Sequence, residues 1–110
     1  MKIANSYALS GKVIKDNDTY RLVDNHMLNN LTVSTTRLKQ GRITGGHSHV
    51  NQEEVYIFLS GKGEMILGDQ TIPVEGGDVV TVPINTHHQV TALNGFDVYF
   101  MCVFEGGRNH

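Results

Sequence analysis

The sequence is poor in the features that anchor or cross-link a chain. Its one cysteine, Cys102, has no second cysteine with which to form an internal disulfide. The fold therefore does not depend on an oxidising compartment, where disulfides form and persist. It has no run approaching the 18 or so apolar residues that a membrane-spanning helix needs, and residues 1–6 lack the apolar core of a signal peptide. We therefore expect a cytoplasmic protein that is not embedded in a membrane.

An excess of basic residues is also missing. Lysine and arginine total 9 against 11 acidic residues, which gives a net charge of −2. Proteins that bind nucleic acid or anionic membranes usually carry a basic patch, so we expect neither kind of partner. The 110 residues match the commonest size of one domain, and we treat residues 1–110 as a single domain.

The chain contains short runs of residues that favour β-strands, separated by turn residues. No segment shows the period of an amphipathic helix. The runs cover residues 11–14, 20–23, 31–38, 54–59, 64–67, 71–74, 78–82, 88–93 and 96–104. Gly68-Asp69-Gln70 joins two of these runs in the manner of a hairpin. The pattern predicts an all-β sandwich or barrel, followed by a flexible tail over residues 106–110.

Histidine is concentrated in two places, His47-x-His49 and His87-His88. Residues at i and i+2 of a strand point to the same side, so His47 and His49 can approach one ion. Glu54 follows a plausible turn and can add an oxygen from the next strand. Nitrogen and carboxylate ligands suit first-row divalent metals. His88 would complete a set of four.

The spacing of these residues resembles that of the cupin superfamily. The first cupin motif is matched over residues 41–61 by Gly41, His47, His49, Glu54 and Gly61, and the second over residues 77–92 by Gly77, Pro83, Asn85 and His88. There are two departures. Asn85 stands where the family usually has glycine, and Ala92 where it often has asparagine. Because Asn tolerates left-handed backbone angles better than most residues, the turn at Asn85 can survive.

The resemblance implies a cupin jelly-roll barrel that holds one divalent metal ion, whether Fe, Mn, Ni, Co, Zn or Cu. Its ligands would be His47, His49, Glu54 and His88. The family spacing supports His88 over His87 and Glu54 over Glu53, with a shift by one residue left open. Small cupins of this kind are commonly homodimers, so a homodimer is expected.

Tyr56 is the candidate for acid or base catalysis. It shares the face of Glu54 by strand alternation, which places it near the predicted metal, although packing in a barrel core is the alternative interpretation. Glu54 is the second catalytic candidate. Arg37, Arg42 and Lys62 are candidates for binding an anionic substrate group, although scattered basic residues more often lie on the surface.

Three functions follow from such a site, each with a small-molecule partner. The first is metal-assisted proton transfer on a sugar or other hydroxy-carbonyl compound, by an isomerase or a lyase. It is favoured because Glu54-Val55-Tyr56 and Gly61-Lys62-Gly63 are similar to segments of sugar-phosphate isomerase cupins. The second is a metal-dependent dioxygenase, and the third is a barrel that only binds or senses a small ligand.

Overall fold

A computed structural model describes residues 1–5, 8–46, 48 and 51–108. These residues form eleven strands and contain no helix, and hence no helix able to span a membrane. The strands are β1 (Ala4–Asn5), β2 (Ala8–Leu9), β3 (Lys12–Asp16), β4 (Tyr20–Asn25), β5 (Leu31–Leu38), β6 (Glu54–Ser60), β7 (Lys62–Leu67), β8 (Gln70–Glu75), β9 (Val79–Val82), β10 (His88–Ala92) and β11 (Val98–Glu105). The all-β prediction is confirmed.

Two antiparallel sheets carry most of the chain. The larger has the order β3-β4-β5-β11-β6-β9 and the smaller the order β10-β7-β8, while β1 pairs with β2. The predicted hairpin is confirmed, since β7 and β8 are antiparallel and Gly68 adopts a φ of 63° in the turn. The apolar run near the C-terminus becomes β11, which is hydrogen-bonded on both sides, to β5 and β6.

The core lies between the two sheets. Phe58, Phe100 and Leu38 from the larger sheet join Met65 and Val90 from the smaller one in a single buried cluster. Strand β6 shows how alternation produces this arrangement, because every second residue from Glu54 to Phe58 is buried. Sheets packed face to face in this way form a jelly-roll-like sandwich, as predicted.

Residues 106–108, the described part of the predicted flexible tail, form hydrogen bonds with the rest of the protein. The backbone N–H of Gly106 donates to the carbonyl of Asn30 at 2.8 Å, and the Thr32 hydroxyl donates to the carbonyl of Gly106 at 2.6 Å. Arg108 forms two hydrogen bonds with the buried carboxylate of Asp24. Hydrogen bonds to buried groups hold this segment against the sheet, while Asn109 and His110 lie outside the described residues.

Candidate active site

The inward face of the larger sheet lines a cavity of about 290 Å³. Neighbouring strands contribute residues at i and i+2, as expected for side chains that share a face. The pairs from the central strands are Ser34 and Thr36 in β5, Phe100 and Cys102 in β11, and Glu54 and Tyr56 in β6. The site is thus built on paired strands rather than on loops alone, which favours a fixed geometry.

Glu54 and His88 meet at this site from different sheets. His88 Nε2 lies 3.4 Å from Glu54 Oε1, and their side chains are 1% and 4% exposed. Burial by itself lowers the pKa of His88, but the hydrogen bond to Glu54, the Thr86 carbonyl and the charge of Glu54 outweigh it and raise the pKa from its ordinary value. The Glu54 carboxylate therefore favours a positive charge on or beside the His88 ring.

The tautomer of His88 is set by its backbone contact. Nδ1 lies 2.9 Å from the carbonyl oxygen of Thr86, and a carbonyl can only accept, so Nδ1 carries a proton. In the neutral imidazole the lone pair is then on Nε2, the atom that faces Glu54. A histidine held by its other ring nitrogen in this way is typical of metal ligands.

The spacing of this pair fits two ligands of one ion. Ligands bound at about 2.1 Å lie about 3.0 to 3.4 Å apart in octahedral or tetrahedral coordination, and the observed separation is 3.4 Å. The Nε2 lone pair and the carboxylate oxygen are both donors that a divalent first-row metal ion accepts. The chemistry of the two donors is therefore compatible with a metal.

The other two predicted ligands, His47 and His49, lie outside the described residues. Among those that are described, no three His, Cys, Asp or Glu side chains are grouped closely enough to hold an ion. The described segment leading to residue 47 runs antiparallel along β10, with hydrogen bonds from Gly41 N to Ala92 O and from Thr44 N to Val90 O. It therefore advances toward the end of β10 where His88 lies.

The alternatives one residue away from Glu54 and His88 have a different environment. Glu53 and His87 are both exposed. A Cβ atom built on Gly46 would lie 2.5 Å from the His87 ring, which places that ring against the segment before residue 47 rather than beside Glu54. Strand alternation thus favours Glu54 and His88 as the inward-facing members of each neighbouring pair.

Tyr56 packs beside both groups. Its ring meets that of His88 edge-on at 5.7 Å and stacks on Phe100 at 5.3 Å between centroids. Burial, followed by the charges of Cys102 and Glu54, raises the pKa of Tyr56 well above its ordinary value. The phenol therefore stays protonated near neutral pH. It can donate a proton or a hydrogen bond, but it is a poor base.

The basic residues named from the sequence lie elsewhere. Arg37 stacks over Tyr99 at 4.2 Å and Lys62 lies over Phe96 at 5.6 Å, while Arg42 is exposed. None of the three lines the cavity, whose described cations are Lys15 and Arg108. Sequence reasoning missed both. Lys15 lies on an edge strand among exposed residues, and Arg108 follows two glycines that suggested a free end.

Comparisons with known proteins agree with this architecture. A model of the cupin domain family matches residues 34–104. Among solved structures, KdgF from Halomonas superposes with a TM-score of 0.78 at 17% identity, covering 89% of this chain and 88% of that one. Oxalate decarboxylase superposes with a TM-score of 0.79 at 18% identity, covering 90% of this chain and 29% of that one.

Curated relatives are similar in sequence over part of their length. Glucose-6-phosphate isomerase from Pyrococcus horikoshii is 30% identical, over 84% of this chain and 56% of the relative. An uncharacterised protein from Methanocaldococcus jannaschii is 30% identical, over 51% of this chain and 45% of that protein. The chain spans about half the length of the curated relatives it matches. With a family match over most of its length and two sheets packed as a jelly roll, this chain belongs to the cupin domain family.

Proposed function

We propose that the chain is a metal-dependent cupin enzyme that isomerises a small hydroxy-carbonyl compound of the sugar type, or eliminates a group from it. The observation that carries the proposal is the buried Glu54–His88 pair, with 3.4 Å between Nε2 and Oε1. The ring of Tyr56 lies edge-on to His88, and Glu54 and Tyr56 line a cavity of about 290 Å³. Perturbed titratable groups that converge on a concave site are the usual signature of catalysis.

The proposed metal ligands are His47, His49, Glu54 and His88. A divalent ion held by these groups would polarise a substrate carbonyl or hydroxyl and so acidify the neighbouring C–H bond. The Thr86 carbonyl orients His88 by accepting from Nδ1. A histidine oriented in this way keeps its Nε2 lone pair directed into the site.

Two residues are proposed to handle protons. Aldose–ketose interconversion moves one proton between adjacent carbons and one between their oxygens, so it needs no other reagent. Tyr56, whose phenol is protonated because its pKa is raised by burial, donates to the substrate oxygen. It then recovers a proton from the neighbouring substrate hydroxyl. Glu54 is the one carboxylate among the described residues that line the cavity, and it accepts the proton from one carbon and returns it to the adjacent carbon.

The curated relatives support this chemistry over oxygen activation. The similarity to glucose-6-phosphate isomerase extends over 84% of this chain and includes the strands that carry Glu54, Tyr56 and His88. The name of that relative specifies the isomerisation of glucose 6-phosphate, and an isomerisation consumes no oxygen. Oxalate decarboxylase, at 18% identity, supports the fold alone.

Solvent exchange gives a direct test. The purified chain is incubated anaerobically in D₂O with glucose 6-phosphate, fructose 6-phosphate and their unphosphorylated forms, with and without added Mn²⁺, Fe²⁺, Ni²⁺ or Zn²⁺. We expect metal-dependent deuterium incorporation at the carbon next to the carbonyl, followed by NMR. His88→Ala should abolish the exchange, and His87→Ala should retain it.

Two other outcomes would contradict the proposal. Turnover that requires oxygen and consumes it in proportion to product would identify a dioxygenase. Saturable ligand binding without exchange or turnover under any metal would identify a binding barrel.

A further inference from the structure

A row of polar side chains crosses the floor of the cavity. Cys102 of β11 pairs in register with Tyr56 of β6 and with Ser34 of β5, and all three line the cavity. Ser34 pairs in turn with Asp24 of β4, the buried partner of Arg108. A phenol, a thiol, a hydroxyl and an ion pair thus follow one another across four strands. We call these five residues the polar row.

The neighbouring row on the same face of the sheet is mainly apolar. Phe100 pairs in register with Thr36, and Thr36 with Leu22, and all three line the cavity. They lie two residues along their strands from the polar row, a distance of about 7 Å. Phe100 and Leu22 are 2% and 7% exposed, so both are fixed by packing. We call Phe100, Thr36 and Leu22 the apolar row.

Ile14 and Tyr20 extend the apolar row at the edge of the sheet. The register of β3 and β4 shifts between Val13 and Lys15, and Lys15 is the partner of Leu22. The intervening Ile14 is the extra residue of a bulge, a feature that re-aims a side chain, and it lines the cavity together with Tyr20. Lys15 also lines the cavity but is exposed. Its stem can therefore cover apolar surface while its ammonium group stays in water.

The proposed reaction site and the apolar row lie on opposite sides of the polar row. Along β6, Glu54 is two residues before Tyr56, and Phe58, the partner of Phe100, is two residues after it. Four residues of a strand span about 13 Å. A substrate whose oxygens lie at Glu54 and Tyr56, and whose chain continues past the polar row, therefore meets Phe100. Hydroxyl groups buried there without hydrogen-bond partners would oppose binding.

We propose that the substrate is a hydroxy-carbonyl compound whose end remote from the reacting carbons is an alkyl or deoxy chain, and that Ile14, Leu22 and Phe100 determine this specificity. The inference rests on the proposed function of the same cavity. A fully hydroxylated chain needs a partner for each hydroxyl, whereas the apolar row offers only the hydroxyl of Thr36. A chain without hydroxyls buries apolar surface, which raises the affinity about fourfold for each methylene group.

The test measures binding of 2-hydroxy acids, which carry no ketone or aldehyde to isomerise, to the full chain by isothermal titration calorimetry in the presence of Mn²⁺. The probes of increasing length are 2-hydroxybutanoate, 2-hydroxypentanoate and 2-hydroxyhexanoate. Gluconate matches the longest probe in carbon number but carries hydroxyl groups along its chain.

Two pairs of variants show which side chains contact the probe. Ile14→Ala shortens a side chain of the cavity wall, and its control is Val13→Ala, the preceding residue, which is 43% exposed and outside the cavity lining. Leu22→Asn places an amide in the apolar row. Its control is Leu93→Asn, at a residue that is 40% exposed and outside the lining.

We expect the affinity to rise about fourfold with each added methylene group and gluconate to bind more weakly than 2-hydroxyhexanoate. Ile14→Ala and Leu22→Asn should reduce this dependence on chain length, while both controls keep it. If Leu22→Asn fails to fold, as judged by circular dichroism, the comparison of Ile14→Ala with Val13→Ala decides.

Three results would overturn the inference. Gluconate that binds as tightly as 2-hydroxyhexanoate would show that the cavity accepts hydroxyl groups throughout. The same dependence on chain length in Ile14→Ala and Val13→Ala would show that the probe does not contact Ile14. Absence of saturable binding by every probe would show that the apolar row does not take such a chain.

The binding series is independent of the proposed chemistry. A dependence on chain length that requires Ile14, together with absent deuterium exchange, would refute the proposed reaction and keep this inference. Deuterium exchange that is as fast with fully hydroxylated sugars as with their deoxy counterparts, without a dependence on chain length, would do the reverse.

Discussion

His88 and Glu54 join the two sheets of the protein at one point. His88 begins β10 in the smaller sheet and Glu54 begins β6 in the larger one, yet Nε2 and Oε1 are 3.4 Å apart in a buried setting. The pair is therefore a product of sheet packing. Its geometry underlies the proposed metal site and the predictions that follow.

Replacing His88 by Ala should remove most of the bound metal, because it deletes a nitrogen donor from a closed site. We expect the affinity to fall by more than about tenfold. The matched control is His87→Ala, which removes an exposed ring next in sequence. Metal content is measured by inductively coupled plasma mass spectrometry after dialysis against a limiting metal buffer. Equal metal loss in the two variants would refute the assignment of His88.

Replacing Tyr56 by Phe should reduce kcat while leaving the metal in place. The substitution keeps the stacking on Phe100 and the edge contact with His88 but removes the proton donor. Loss of a general acid typically lowers the rate by a factor of about 10² to 10⁴. Steady-state kinetics and metal analysis are performed on the same preparation. Full activity in Tyr56→Phe would show that the ring only packs.

Replacing Gly61 by Ala should destabilise the fold by about 3 kcal/mol or more. Its φ is +89°, and a Cβ there would lie 2.0 Å from the carbonyl oxygen of Asp97, so both the backbone and the neighbouring strand would have to move. Gly45→Ala is the control, because no atom lies within 4 Å of its Cβ position. We expect that control to change stability by less than about 0.5 kcal/mol. Urea denaturation followed by circular dichroism measures both, and similar midpoints would contradict this account.

Asn85 offers a test of the departure from the family pattern. Its φ of 57° confirms the expectation that asparagine can adopt the left-handed turn where the family usually has glycine. Asn85→Ala should cost about 1 kcal/mol, since alanine lacks the local hydrogen bonding that eases this conformation. Asn85→Gly should remain within about 0.5 kcal/mol of the original chain. A thermal melt that ranks alanine above glycine would contradict the argument.

Much of the architecture follows from local sequence rules. The run 31–38 was predicted as a strand and becomes β5 with the same bounds, because β-branched residues between turn residues fit a pleated sheet wherever it lies. The inward positions of Glu54, Tyr56 and Phe58 follow from the two-residue period of a strand. Motif spacing was sufficient to predict the family, whereas the homodimer stays a prediction.

The sequence did not determine which residues far apart in the chain lie close together in the fold. Motif spacing predicts that Glu54 and His88 are the metal ligands, rather than their neighbours Glu53 and His87. Glu54 and His88 are buried while both neighbours are exposed, which favours the same two residues. The cations of the cavity could not be predicted in this way. Lys15 faces inward through a register shift with β4, and Arg108 is held by a carboxylate 84 positions earlier in the chain.

Alternation along a strand is a local property of the backbone, so the sequence by itself determined which residues share a face. Tertiary structure alone decided which faces meet, because that depends on pairing and packing between segments far apart in the chain. This is why Arg37 lies over Tyr99 while Arg108, at the end of the chain, lines the cavity.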